Sequence, residues 1–299
     1  MKQAFVKLHL SILLAGFTGI LGKVITLNEG LLVWYRMLLA SLAAALLVFI
    51  LHRRRRGGPN ALAYPSLQTP RGWRLAGAGS LLALHWVFFF GSIKASNVSV
   101  GVICFSLTGF FTALVEPLSC RRPLSVKPVA ISLLALAGVM LVFHFDAPYR
   151  TGVLYGILSS LLAALFTIAN KQAASHYPSP VVLLYEMLAG FLLLTALLPL
   201  YLHFFPAETL LPGMRNLPAL LLFAILCTVC LYLLQIDVLK QISAFTVNLS
   251  YNLEPLYSIL LAMLFLGEAK ELSPAFYAGL ALILLSVYLQ TRHAWKHNQ

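Results

Sequence analysis

A chain of 299 residues that is 60% hydrophobic and only 10% charged, with a mean hydropathy of +0.88, is not a water-soluble domain, because such domains carry about 25% charged residues. Its net charge of +12 would suit nucleic acid, but the placement of the basic residues argues against that partner. Arg53 to Arg56 follow directly on an apolar segment, where lysine and arginine gather beside a bilayer and can meet lipid headgroups.

Apolar segments long enough to cross a bilayer, about 20 residues each, recur along the whole chain. In order they cover residues 5–25, 31–51, 75–95, 98–120, 128–145, 152–173, 180–202, 217–239, 244–266 and 274–290. Lys2 and Lys7 precede the first, which continues past Leu21 and so exceeds the core of a cleavable signal. A polar loop with Arg53 to Arg56, Arg71 and Arg74 separates the second from the third. With the N-terminus inside, most basic residues fall on the cytoplasmic face. The expectation is a multi-pass protein of the inner membrane with both termini cytoplasmic.

Cys104, Cys120, Cys227 and Cys230 all lie in or at the ends of apolar segments. Cys227 and Cys230 have the spacing of a redox or zinc pair, but no second pair accompanies them, so they read as helix-packing residues. A Walker loop, a nucleophile elbow and histidine pairs at ligand spacing are all missing. An enzyme and an ATP-driven pump are therefore not expected, and neither a metal nor a cofactor is implied.

Three pairs of positions repeat in the same order. Lys23 matches Lys171, Arg36-Met37-Leu38 aligns with Glu186-Met187-Leu188, and Lys94 matches Lys240, at offsets of 148, 150 and 146 residues. This favours a duplicated five-helix unit, residues 1–147 and 148–299. Because five is odd, the second copy enters the membrane from the opposite face. The expected fold is an all-α integral membrane protein whose ten transmembrane helices form two inverted five-helix repeats, an arrangement that exchanges two equivalent conformations around a central site.

The most informative stretch is residues 250–268, where Tyr251, Asn252, Glu254 and Pro255 precede an apolar run ending in Gly267-Glu268. A charged group at mid-membrane costs roughly 2.5–3.5 kcal/mol on insertion scales, so it faces a cavity or a partner. Proline opens the helix at the preceding turn. Glu254 lies about 15 Å into its segment, near the bilayer centre. A carboxyl there is a candidate to carry a coupling proton or to pair with a substrate ammonium; the alternative is an acid that only bridges helices. Asn248, Tyr251 and Asn252 supply amides and a phenol on the same turns.

Other polar residues sit in hydrocarbon. His85 and Trp86 fall at the middle of the third segment, able to meet a carboxylate, stack on a ring or relay a proton, or simply to pack. Arg36 lies roughly 8 Å below the outer surface and Glu186 at a similar depth from the inner one. They are expected as separate anchors of the outer and inner halves of a pathway rather than as an ion pair, or else as residues snorkelling to headgroups. The candidate substrate-binding set is therefore Arg36, His85, Trp86, Glu186, Asn248, Tyr251, Asn252 and Glu254.

Gly19, Lys23 and Arg36, the hairpin 91–95 followed by 107–116, residues 248–255, Leu266-Gly267-Glu268 and Gly279 together resemble the EamA family of the drug/metabolite transporter superfamily. The likeness covers nearly the whole chain and is architectural. The ninth helix ends in the apolar run, glycine and glutamate of that family. The fourth departs, with Glu116-Pro117 a turn early and Ser119-Cys120-Arg121 at its end. The resemblance implies a secondary transporter (a permease), most often for efflux of amino acids, other small metabolites or toxic compounds by alternating access. Two alternatives stand beside it: an exchanger of anionic metabolites gathered by Lys23, Arg36 and Lys94, and a non-transporting membrane sensor or scaffold.

Overall fold

The computed structural model describes residues 2–54, 64–65, 69–119, 123, 126–145, 147–174, 176–207, 209–251, 253–270 and 272–297. Among these no strand occurs. The helices are α1 (Lys2–Val24), α2 (Glu29–Arg54), α3 (Pro70–Ala95), α4 (Val98–Phe105), α5 (Thr108–Ser119), α6 (Val126–Phe145), α7 (Arg150–Ala174), α8 (Ser179–Phe204), α9 (Leu217–Ala224), α10 (Leu231–Leu239), α11 (Ala244–Tyr251), α12 (Glu254–Phe265) and α13 (Pro274–His297). Seven helical stretches among the described residues are long and apolar enough to cross a membrane, counting α4 with α5 and α9 with α10 as one each; shorter apolar helices lie within α6, α12 and α13.

Local chemistry sets several helix starts. Asn28 Oδ1 accepts from Leu31 N at 2.9 Å, and Asn97 Oδ1 accepts from Val100 N at 2.8 Å at the head of α4, each satisfying one of the amides a helix leaves open. Pro70 and Pro180 stand at first-turn positions, where a missing N–H costs nothing. Gly267, with φ of +71°, makes the turn after α12, a conformation that disfavours a side chain.

Three of the apolar segments are not plain helices. Residues 244–266 divide into α11 and α12, joined by a tight turn in which Leu253 N meets Ser250 O at 3.0 Å. Pro255 sits in the first turn of α12, so the helix restarts there with no hydrogen bond lost. The fourth segment also breaks, at Ser106-Leu107, where both amides bond three residues back. In the eighth, Ile225–Cys230 forms a π turn between α9 and α10.

The main core gathers α1, α2, α3, α7, α8 and α10, while a second apolar cluster unites α4, α6 and α13. α2 packs on α8, α3 on both α7 and α8, and α1 on α10 and α12. α6 and α13 meet backbone to backbone: a Cβ on Gly138 would lie 2.5 Å from Gly279 O, the close approach that small residues permit between membrane helices.

Two lysines tie helix ends in a matching way. Lys23 Nζ donates to Ile93 O and Ser96 O, each at 3.3 Å. Lys171 Nζ donates to Leu239 O and, at 2.6 Å, to Ile242 O. The offset from 93 to 239 equals that from 96 to 242, so each lysine, at the end of α1 or α7, satisfies equivalent open carbonyls at the end of α3 or α10.

Candidate functional site

A cavity of about 50 Å³ lies inside the helix assembly, walled by α1, α2, α3, α7, α10, α11 and α12. Six of the eight residues singled out from sequence line it: Arg36, His85, Trp86, Asn248, Tyr251 and Glu254. Asn252 lies outside the described residues, as does Cys120. Glu186 is elsewhere.

Arg36 is 1% exposed. Its guanidinium is fixed on four sides. Nε donates to Thr228 Oγ1 at 2.7 Å and Nη2 to Cys227 O at 2.8 Å. The carbon of the guanidinium lies 3.6 Å from the centre of the Trp86 ring and 4.1 Å from that of Phe223, within cation–π range. Nη1 has no hydrogen-bond partner among the described residues. The π turn makes this possible. In an α-helix Leu231 N would bond Cys227 O; here it bonds Leu226 O and Thr228 O, and Cys227 O receives the arginine.

Depth counted along the segments separates Arg36 from Glu254, yet both reach one cavity. Glu254 is 4% exposed and begins α12 beside the break. Its carboxyl makes no hydrogen bond or ion pair with another described residue, although the Arg36 charge acts on it through space. Arg36, whose Nη1 is buried and without a hydrogen-bond partner among the described residues, and Glu254 therefore line one cavity. Gln235, also on this wall, has no hydrogen-bond partner for its side-chain oxygen among the described residues.

Thr18 Oγ1, also on this wall, has no hydrogen-bond partner among the described residues, whereas His85, Trp86, Asn248 and Tyr251 are engaged. His85 Nδ1 lies 3.0 Å from Ser159 O, and Ser159 Oγ lies 3.2 Å from His85 O; one proton arrangement satisfies both, with Nδ1–H and the hydroxyl each donating to the partner's carbonyl. Phe105 stacks on the imidazole at 5.4 Å. Trp86 Nε1 donates to Tyr232 Oη at 3.1 Å. Asn248 Nδ2 donates to Thr112 Oγ1 at 2.8 Å and its Oδ1 accepts from Thr167 at 3.2 Å. Tyr251 Oη donates to Ser11 at 3.0 Å. Asn248 and Tyr251 thus anchor the broken helix to α1, α5 and α7.

Glu186 is 0% exposed and neither of its oxygens has a hydrogen-bond partner among the described residues. It stands where α8 touches α3, so close that a side chain on Gly79 would strike its backbone. It does not snorkel, and it does not line the cavity. Lys23 and Lys94, expected to gather anions in the exchanger alternative, instead bond helix-end carbonyls; Lys94 reaches Ile25 O at 3.3 Å and also Leu27 O. Thr228, Tyr232, Gln235 and Phe223 are site residues that sequence reasoning missed. The one available signal was that Thr228 and Gln235 are polar residues inside an otherwise apolar segment.

Both ends of the helix assembly are tied. Where α1 finishes, the Glu268 carboxylate accepts from Val98 N at 2.9 Å, Ser99 N at 3.0 Å and Ser99 Oγ at 2.6 Å, an acid on a helix N-terminus. There too Asn216 Nδ2 donates to Thr26 Oγ1 at 2.9 Å, and Tyr201 Oη donates to Glu29 at 2.7 Å. Where α1 begins, Lys7 pairs with Asp237 at 2.7 Å; Ser179 also donates to Asp237, and Lys240 donates to Ser179 at 2.8 Å. The cavity between has room for a few water molecules, well below the 300 Å³ or more of an ordinary small-molecule pocket.

The model of the EamA-like transporter family matches residues 4–144 and again 150–292. A curated relative, the uncharacterized transporter YxxF of Bacillus subtilis (strain 168), is 23% identical over 218 residues, 69% of this chain and 68% of that protein. A solved crystal structure superposes with a TM-score of 0.67 over 98% of both chains at 20% identity; that likeness is one of fold.

Proposed function

Because the chain belongs to the EamA-like transporter family, a family of membrane transporters, we propose that it is a secondary active permease of the inner membrane that exports a small metabolite carrying both an anionic and a cationic group, an amino acid or a related solute. One observation carries this reading: Arg36, whose Nη1 has no hydrogen-bond partner among the described residues, and Glu254, whose carboxyl makes no ion pair among them, line the same cavity. Leaving either charge without a partner in a low-dielectric interior is costly. A ligand with opposite charges at its two ends would satisfy both, and would be released when the site opens to water. Glu254 is also the carboxyl placed to take up a coupling proton when the ligand leaves.

In this reading the chain crosses the membrane ten times, with both termini cytoplasmic, and residues 1–147 and 148–299 are inverted halves. The double match to one family model and the equivalent contacts of Lys23 and Lys171 support that division. The end tied by Glu268 is then the outer one and the end tied by Lys7 and Asp237 the inner one. Transport requires these ties to open in alternation and the cavity to expand, since its present volume does not admit a metabolite.

The test is an efflux profile. Cells expressing the protein and a Glu254→Gln strain are loaded with mixed amino acids, dipeptides and metabolites, and the media compared. Selective release of one zwitterionic class, abolished in the variant at equal membrane expression, is the expected result. Equal release from both strains would remove Glu254 from the mechanism, and no release from either would favour a sensor or scaffold.

A further inference from the structure

The arginine in the cavity is oriented by a residue outside the set that sequence pointed to. Thr228 lies in the π turn, fully buried, and its hydroxyl makes two bonds with opposite roles. It donates to Phe223 O, five residues back, at 3.0 Å, and accepts from Arg36 Nε at 2.7 Å. The first bond fixes where the hydroxyl proton points, which leaves a lone pair aimed at the guanidinium. Cys227 O takes Nη2, and the Trp86 and Phe223 rings lie against the guanidinium. What remains is Nη1, buried and without a hydrogen-bond partner among the described residues, in a residue that lines the cavity. Arginine has five N–H donors on a rigid plane, so turning that plane changes which donor the cavity receives.

We propose that Thr228 is the positioning residue that holds Arg36 with its Nη1 edge turned to the cavity as a receptor for a carboxylate or another small oxyanion. The proposal rests on the reading of Arg36 as the anion pole of the transport site. The π turn is the means: it delivers the Thr228 hydroxyl and the Cys227 carbonyl to the same side of the crossing, one to Nε and one to Nη2. Without the hydroxyl, Nε would face an apolar side chain while buried, an unsatisfied charged donor. The guanidinium would then turn to bring Nε to the cavity, and Nη1 would no longer be presented there.

Acetate is a fitting probe, a carboxylate of four heavy atoms. Trp86 is the reporter, since its ring lies on the guanidinium. Trp34, Trp73 and Trp295 are replaced by phenylalanine, and Trp86 emission of the purified full-length protein is titrated with sodium acetate at constant ionic strength. A saturable change is expected in this parent and not after Arg36→Ala. Thr228→Ala and Thr228→Val should each weaken acetate about tenfold, the scale of one lost charge-assisted hydrogen bond, whereas Thr228→Ser, which restores the hydroxyl, should stay close to the parent. Valine keeps the shape and alanine favours helix, so at least one folded variant without the hydroxyl is expected, judged by an unchanged melting temperature. If either folded variant binds acetate like the parent while Arg36→Ala does not, Thr228 has no positioning role and the anion pole stands. If the parent shows no saturable change, the anion pole itself falls, and the proposal with it.

Discussion

Arg36 and Glu186 occupy equivalent positions in the two halves of the sequence, and their surroundings have diverged. Arg36 has two hydrogen bonds, three aromatic rings within cation–π range and one nitrogen, Nη1, without a hydrogen-bond partner among the described residues; Glu186 has complete burial and no hydrogen-bond partner for its oxygens among the described residues. A partnerless buried polar group costs about 1–3 kcal/mol. Glu186→Leu should therefore raise stability by that order, read as an upward shift in melting temperature, and leave efflux intact. A loss of efflux in a more stable protein would make Glu186 a working part of the pathway after all. Glu254 was legible in the sequence because a carboxylate beside a proline in an apolar run has few bland explanations. Thr228 was not. A threonine in an apolar helix is ordinary, and its importance depends on a π turn formed around a distant arginine, which no local pattern encodes.

At the scale of elements, the succession of apolar helices was readable from hydropathy and length, seven of them among the described residues being long enough to span a membrane, and the break at Glu254-Pro255 from proline chemistry. The break at Ser106-Leu107 and the π turn have no proline, and glycine is absent from both, so nothing local announced them. The π turn is matched to a distant partner, since its Cys227 carbonyl accepts from Arg36. The Lys23–Lys171 match noticed in the sequence proves to be a pair of helix-end ties; Lys94 and Lys240 differ, the one bonding backbone carbonyls and the other the Ser179 hydroxyl. Lys23→Met should leave Ile93 O and Ser96 O without that donor, and hydrogen exchange should quicken at residues 93–99. Lys171→Met should do the same at residues 239–245. Each effect should stay confined to its own end of the molecule. Faster exchange at both ends from either substitution would mean that the ties are not independent.

For the molecule as a whole, a small cavity lies between two ends of the helix assembly that are each tied by hydrogen bonds, one of them also by the Lys7–Asp237 ion pair. Composition and segment count were enough to anticipate a membrane bundle. Which faces of which helices meet at the centre was not readable, because a helical wheel has no neighbours. Arg36 and Glu254 line one cavity, although counting residues along each segment places them at different depths. The central claim is that this single site opens alternately to the two sides of the membrane. Ala163 lines the cavity and has a small side chain, so a cysteine there can report access. With the four native cysteines replaced by serine, an Ala163→Cys protein in oriented vesicles would be treated with a membrane-impermeant thiol reagent from one side or the other. Labelling from either side, each blocked by prior labelling from the opposite one, is the predicted result. Labelling from one side only, in a folded protein that still transports, would contradict alternating access around this cavity.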